Sequence, residues 1–196
     1  MFLRGGGTSR ASSLYPRDEA FSHPGIVLVT GGARAGKSDF ALKLAEQADI
    51  RQRLFVATAV ACDRQMRDRI IRHRKARNGQ WVTLEEPMDL PERLPKPHLT
   101  PGSLILFDCL PTFITNLLLA RRSHAEIQSR VQALLKACRR PGLSAIFVTN
   151  EVGLGIVPNH PLGREFRDLL GTVNQRMARV ADWVYLLVAG IPVRLK

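Results

Sequence analysis

Residues 31–38 read Gly31-Gly32-Ala33-Arg34-Ala35-Gly36-Lys37-Ser38, the G-x-x-x-x-G-K-S spelling of a phosphate-binding P-loop. An apolar run, Ile26-Val27-Leu28-Val29-Thr30, leads into it, and a helical pattern over Lys37–Ala48 leads away. Strand, glycine turn and helix in that order are the context in which this spelling has its meaning. The glycines let successive backbone N–H groups curl around phosphate oxygens, and the N-terminus of the next helix adds a favourable dipole. Lys37 is placed to reach the β- and γ-phosphates, and Ser38 to ligate Mg2+. Gly31, Gly32, Ala33, Arg34, Ala35, Gly36, Lys37 and Ser38 together imply binding of a nucleoside triphosphate. They do not say what is done with it.

Outward from the loop, apolar strand-like runs alternate with helical patterns. The strand candidates are Ile26–Thr30, Leu54–Thr58, Leu104–Asp108, Ala145–Thr149 and Trp183–Val188, with Val193-Arg194-Leu195 as a short edge strand. These runs are continuously apolar, as strands covered on both faces are. The helix candidates are Lys37–Ala48, Asp63–Arg77, Thr112–Ala120, Ala125–Arg139 and Gly163–Ala181. This alternation predicts an α/β fold of the P-loop NTPase, RecA-like type: a mostly parallel sheet flanked by helices. Ligands of such sheets bind at the carboxyl ends of the strands, which puts Thr58, Asp108 and Thr149-Asn150-Glu151 near the nucleotide. Asp108 ends an apolar strand and from its position alone could hold Mg2+. Asn150-Glu151 with Gly153 and Gly155 suggests an active-site loop rather than only a tight glycine turn. The proline-rich stretch 87–102 reads as a loop inside one catalytic domain spanning residues 25–196. Residues 1–24, rich in Gly, Ser and Arg without an apolar core, read as a disordered extension or a start codon placed too early. They are not a secretory signal, and Asp18 and Glu19 weaken a transit-peptide reading.

Hydrophobic content of 45% and charged content of 23% are globular values, and no apolar run approaches the roughly 18 residues of a membrane span. Cys62, Cys109 and Cys138 are widely spaced, without a C-x-x-C, and read as reduced thiols of a cytoplasmic protein. The net charge of +12 suits an anionic ligand and equally suits a solvated basic surface. A P-loop ATPase acting on nucleic acid is the main reading from another class. Two Tyr and two Trp, with no interleaving of basic and aromatic residues, count against it.

Residues 63–77 carry seven arginines and lysines, before Asn78-Gly79 ends the helical pattern. Arg69, His73 and Arg77 recur every four residues and share a face, about 6 Å apart along a helix axis. Such a cationic ladder repels itself unless an anion lies across it. Like charge lowers the pKa of a histidine so placed, and neutral imidazole is a nucleophile toward phosphorus. Residue types leave open a solvated helix, a nucleic-acid face and a nucleophilic His73.

Several segments taken together resemble the bifunctional adenosylcobinamide kinase / adenosylcobinamide-phosphate guanylyltransferase family. They are Val29–Ser38, Val56-Ala-Thr-Ala59, Arg69–Arg77 with Trp81 and Glu85-Glu-Pro87, Asp108-Cys-Leu110 with Thr115–Leu118, Thr149-Asn-Glu-Val-Gly-Leu-Gly-Ile-Val-Pro158, Phe166-Arg-Asp168 through Asn174-Gln175, and Gly190-Ile-Pro192. The resemblance implies phosphorylation of the aminopropanol hydroxyl of adenosylcobinamide by ATP or GTP, then transfer of GMP from GTP through a guanylylated histidine. His73 matches that histidine. The resemblance further implies nucleotide contacts at Thr58, Ala59, Val60, Arg74, Lys75, Ala76, Arg77, Glu85 and Asp108, with Lys37 and His73 catalytic and Ser38 on Mg2+. It also implies a homo-oligomer, a homotrimer. The residues alone would allow Glu85 to be a plain surface carboxylate. Two positions depart from the family pattern. Ala35 replaces a serine where backbone N–H does the binding, and Pro111 replaces a threonine at a helix start, where proline is tolerated.

Overall fold

A computed structural model describes residues 24–59 and 79–196. The strands are β1 (Ile26–Gly31), β2 (Gln52–Ala57), β3 (Trp81–Glu85), β4 (Ser103–Asp108), β5 (Ser144–Val148), β6 (Trp183–Val188) and β7 (Ile191–Arg194). The helices among the described residues are α1 (Lys37–Gln47), α2 (Leu110–Leu119), α3 (His124–Cys138) and α4 (Pro161–Val180). One sheet takes the strands in the order β3-β2-β4-β5-β1-β6-β7. All pairings are parallel except the hairpin of β6 with β7. The expected mostly parallel α/β sheet is what forms.

The two-residue period of a strand divides the core. Ile26, Leu28, Ile105, Phe107, Ala145 and Phe147 face α2, α3 and α4, where Phe113, Leu134, Leu170 and Val173 are buried with them. Phe107 and Phe147 stack there with ring centroids 4.4 Å apart. The intervening Val27, Val29, Leu104, Leu106, Ile146 and Val148 face Phe40, Ala41, Leu44 and Ala45 of α1. Burial on both faces is why these strands read as unbroken apolar runs.

β3 is not among the strand candidates of the sequence. It lies at the sheet edge, with Val82, Thr83 and Glu85 exposed, so it needs no apolar run to form. The proline-rich stretch after it holds a short 3-10 turn, Lys96–His98. Leu90 and Leu94 from this stretch are buried in the larger core cluster. Glu86 pins its start by accepting from the N–H groups of Met88 and Asp89 at 3.0 and 2.9 Å. Pro111 sits in the first turn of α2, as its chemistry allows. Ser123 and Glu126 form a reciprocal capping box at the start of α3.

Candidate functional site

The loop between β1 and α1 is shaped by backbone geometry that few residue types adopt. Gly36 caps α1 at φ +87°. Gly31 has φ +144°, and a Cβ there would lie 2.5 Å from the Leu187 carbonyl oxygen of β6. Glycine is therefore required at both ends of the turn. The β6–β7 hairpin supports the loop from below, with Gly190 N–H donating to the Ala35 carbonyl at 3.2 Å. Gly32, Ala33 and Arg34 are exposed along the rim. Lys37 is buried in the first turn of α1, and its Nζ donates to the Gly32 carbonyl at 2.6 Å, which holds the ammonium inside the loop.

Ser38 follows on the same turn and donates through Oγ to Asp108 Oδ1 at 3.2 Å. Seventy residues apart in sequence, the two meet because β4 ends at the level of the P-loop. A hydroxyl and a carboxylate at that spot are hard oxygen donors of the kind Mg2+ takes. No cluster of three or more His, Cys, Asp or Glu suited to a metal occurs among the described residues. The remaining ligands would be phosphate oxygens and water.

The tips of β3, β2 and β4 are level as well. Ala57 stands opposite both Glu85 and Asp108 in the sheet register. Glu85 is exposed there. Thr58 lies just past the end of β2. Its side chain is buried, with Oγ1 donating to the Cys109 carbonyl at 2.7 Å and accepting from Cys109 N–H at 3.2 Å. It braces β2 against β4. Asn116 of α2 completes the brace by donating to the carbonyls of Thr58 and Pro87 at 2.9 and 3.1 Å. Ala59 follows, half-buried. Val60, His73, Arg74, Lys75, Ala76 and Arg77, with the helix expected over Asp63–Arg77, lie outside the described residues.

β5 ends between the P-loop strand and the Asp108 strand, and the residues after it are tightly held. Glu151 Oε1 accepts from Thr30 Oγ1 at 3.0 Å and from Asn174 Nδ2 at 3.1 Å, while its own N–H donates to the Gly31 carbonyl at 3.1 Å. Beyond it come a 3-10 turn, Val152–Leu154, and the strongly exposed Leu154, Ile156 and Val157. Arg164 of α4 holds the far end of this loop by donating to the carbonyls of Pro158 and Asn159 at 3.0 and 2.6 Å. Arg164 and Asp168, four residues apart on α4, do not pair. Asp168 pairs instead with its neighbour Arg167 at 3.1 Å. Neither Thr30 nor Asn174 is marked as a site residue by its local sequence. Each is an ordinary polar residue whose part follows only from contacts 121 and 23 residues away in sequence.

A family model described as cobinamide kinase / cobinamide phosphate guanyltransferase matches residues 27–195. The chain belongs to this family. Bifunctional adenosylcobalamin biosynthesis protein CobU of Salmonella typhimurium is 41% identical over 183 residues, covering 87% of this chain and 99% of that protein. CobU of Escherichia coli K12 is 39% identical with the same coverage. The corresponding protein CobP of Pseudomonas aeruginosa is 38% identical over 169 residues, covering 86% of this chain and 96% of that protein. As a member of the cobinamide kinase / guanyltransferase family, the chain is a bifunctional enzyme of cobalamin biosynthesis that uses nucleotides. Among solved structures, an ATPase of a type III secretion system aligns with a TM-score of 0.58 at 10% identity, over 85% of this chain and 51% of that one. The ATPase EscN from enteropathogenic E. coli aligns at 0.55 and 11%, over 85% of this chain and 43% of that one. At such identities the likeness is one of fold, that of P-loop ATPases. No helix among the described residues is long and apolar enough to cross a membrane.

Proposed function

We propose that this chain, acting through one catalytic domain over residues 25–196, phosphorylates the aminopropanol hydroxyl of adenosylcobinamide with ATP or GTP. It then transfers GMP from GTP to the resulting phosphate, giving adenosylcobinamide-GDP and pyrophosphate. The observation that carries this reading is the contact of Ser38 with Asp108 at the mouth of the P-loop, in a chain of this family. The loop N–H groups and the start of α1 hold the triphosphate, and Lys37 neutralises charge that develops on its oxygens. Ser38 and Asp108 would hold Mg2+, which when bound spreads the negative charge of the phosphates. Glu85 and Ala59 border the nucleotide on the β2–β3 side, with Glu85 toward guanine or ribose. Thr58 supports that border from beneath.

In the second reaction His73 attacks the α-phosphorus of GTP and pyrophosphate departs, leaving GMP on the imidazole as a phosphoramidate. A phosphate oxygen of the corrinoid substrate then attacks the same phosphorus and releases His73. Val60, Arg74, Lys75, Ala76 and Arg77 contact the nucleotide, the arginines through guanidinium forks suited to phosphate oxygens. Neither nucleic acid nor a membrane is a partner. The enzyme assembles as a homotrimer, for which exposed Val188, Ile191, Val193 and Leu195 offer an apolar contact surface. Cys109 and Cys138 are not joined in a disulfide, which suits the cytoplasm.

The test is covalent labelling. Protein incubated with GTP labelled at the α-phosphate, then denatured, retains label that is acid-labile and base-stable, and His73→Ala abolishes it. Wild-type protein that stays unlabelled during turnover, or His73→Ala protein that keeps the label, contradicts the proposal.

A further inference from the structure

Phosphoryl transfer to an alcohol needs a group to take the hydroxyl proton, and neither Lys37 nor the Ser38–Asp108 pair is suited to that task. Lys37 carries positive charge, and Asp108 is engaged at the metal position. The sheet order supplies the missing carboxylate. β5 lies between β1, which carries the P-loop, and β4, which carries Asp108. Residues 149–151, which follow β5, therefore come between the loop and the metal position, where the terminal phosphate of a P-loop nucleotide points. That residue region ends in Glu151. Its N–H bonds to Gly31 O, and the next carbonyl, Gly32 O, receives the Lys37 ammonium, so Glu151 and Lys37 are tied to adjacent peptide units of the same loop.

We propose that Glu151 is the general base of the phosphoryl-transfer step. Both of its side-chain contacts fall on one oxygen, Oε1, which accepts from Thr30 Oγ1 and Asn174 Nδ2. Oε2 has no hydrogen-bond partner among the described residues and keeps its lone pairs for a proton. Asn174, buried in α4, is itself fixed, accepting from Thr149 Oγ1 at 2.8 Å and donating to the Asn150 carbonyl at 2.9 Å. Thr30 and Asn174 are thus positioning residues for this carboxylate. In the step, Glu151 Oε2 takes the substrate hydroxyl proton as the hydroxyl oxygen bonds to the γ-phosphorus. The bond from that phosphorus to the β–γ bridging oxygen breaks, its electron pair staying on the nucleoside diphosphate. The proton then passes from Glu151 to water. Guanylyl transfer has no hydroxyl to deprotonate, so Glu151 serves one reaction of the two.

The assignment rests on the kinase half of the proposed function, and the experiment separates the two. Glu151→Gln keeps an acceptor for Thr30 and Asn174 but is not a base. Phosphoryl transfer is measured with cobinamide and γ-labelled ATP or GTP, and guanylyl transfer with α-labelled GTP and cobinamide phosphate made beforehand. The expected result is a fall in phosphoryl-transfer kcat of about 100-fold or more. Nucleotide KM and guanylyl transfer stay unchanged. Phosphoryl transfer retained in Glu151→Gln, both reactions falling together, or activity restored by raising Mg2+ each overturns the role of Glu151. Wild-type protein inactive in phosphoryl transfer instead overturns the kinase reading itself.

Discussion

The tips of β1, β5 and β4 and the tips of β2 and β3 lie along one edge of the sheet, yet they are built differently. At the first group several polar side chains meet partners from distant segments: Ser38 with Asp108, Glu151 with Thr30 and Asn174. The strands there are buried on both faces. At the second group Thr58 is buried as a brace, while Glu85 stands exposed on an edge strand. A site that must stabilise charge developing on phosphates benefits from groups fixed in advance, and the centre of the sheet fixes them. Recognition of a base or ribose tolerates a more exposed margin. Under the proposed function, the contrast puts the phosphate chemistry at the centre and base or ribose selectivity at the edge.

Substitutions can break that division. The largest effect belongs to Asp108→Asn. It should lower phosphoryl-transfer kcat about 100-fold or more, equivalent to roughly 3 kcal/mol of transition-state charge stabilisation. A Mg2+ titration of kcat should shift to higher concentration at the same time. Thr58→Val comes next and acts on stability. Loss of two hydrogen bonds to a buried hydroxyl should cost about 1–3 kcal/mol in urea unfolding, with kcat of the folded enzyme retained. Glu85→Gln should raise the KM for GTP about tenfold, or roughly 1.4 kcal/mol, and leave kcat and the KM for ATP alone. A loss of kcat instead would move Glu85 from the selective margin into the chemical centre.

The smallest effect lies away from both regions and serves as a control. Backbone and side-chain hydrogen bonds from Ser123, aided by Arg122 and Arg130, hold the Glu126 carboxylate below its usual pKa. A lowered folded-state pKa contributes stability above the ordinary Glu range, and that stability is lost as pH falls through the folded value. Ser123→Ala should therefore reduce the urea midpoint slightly at neutral pH. The difference from wild type should narrow in acid without vanishing, since Ser123 Oγ also accepts from Glu126 N–H at any pH, and both activities should be untouched.

How far the sequence could be read follows the same contrast. The P-loop was legible because its glycines are imposed by backbone angles and a close carbonyl, at Gly31 and Gly36. The central strands were legible because double-sided burial leaves unbroken apolar runs. β3 was not, since an edge strand with three exposed residues carries no such run. Asp108 could be placed from its strand end, and the Ser38 contact follows from parallel register. That the Thr58 hydroxyl braces β2 against β4 was not legible, because motif spelling does not reveal which way a hydroxyl is spent. The link of Thr30, Glu151 and Asn174 joins a strand, the loop after β5 and a helix, and no local pattern announces that pairing.

The central claim is that one P-loop site serves two cleavages of a nucleoside triphosphate, at the γ- and at the α-phosphorus. Lys37→Ala tests it most directly, with γ-phosphoryl transfer to cobinamide and covalent GMP labelling from GTP measured on the same preparation. The account predicts that both fall together, by about 100-fold or more, because the same ammonium neutralises the phosphates in each. GMP labelling at the wild-type rate in protein that has lost phosphoryl transfer would mean two separate nucleotide sites, and would contradict it.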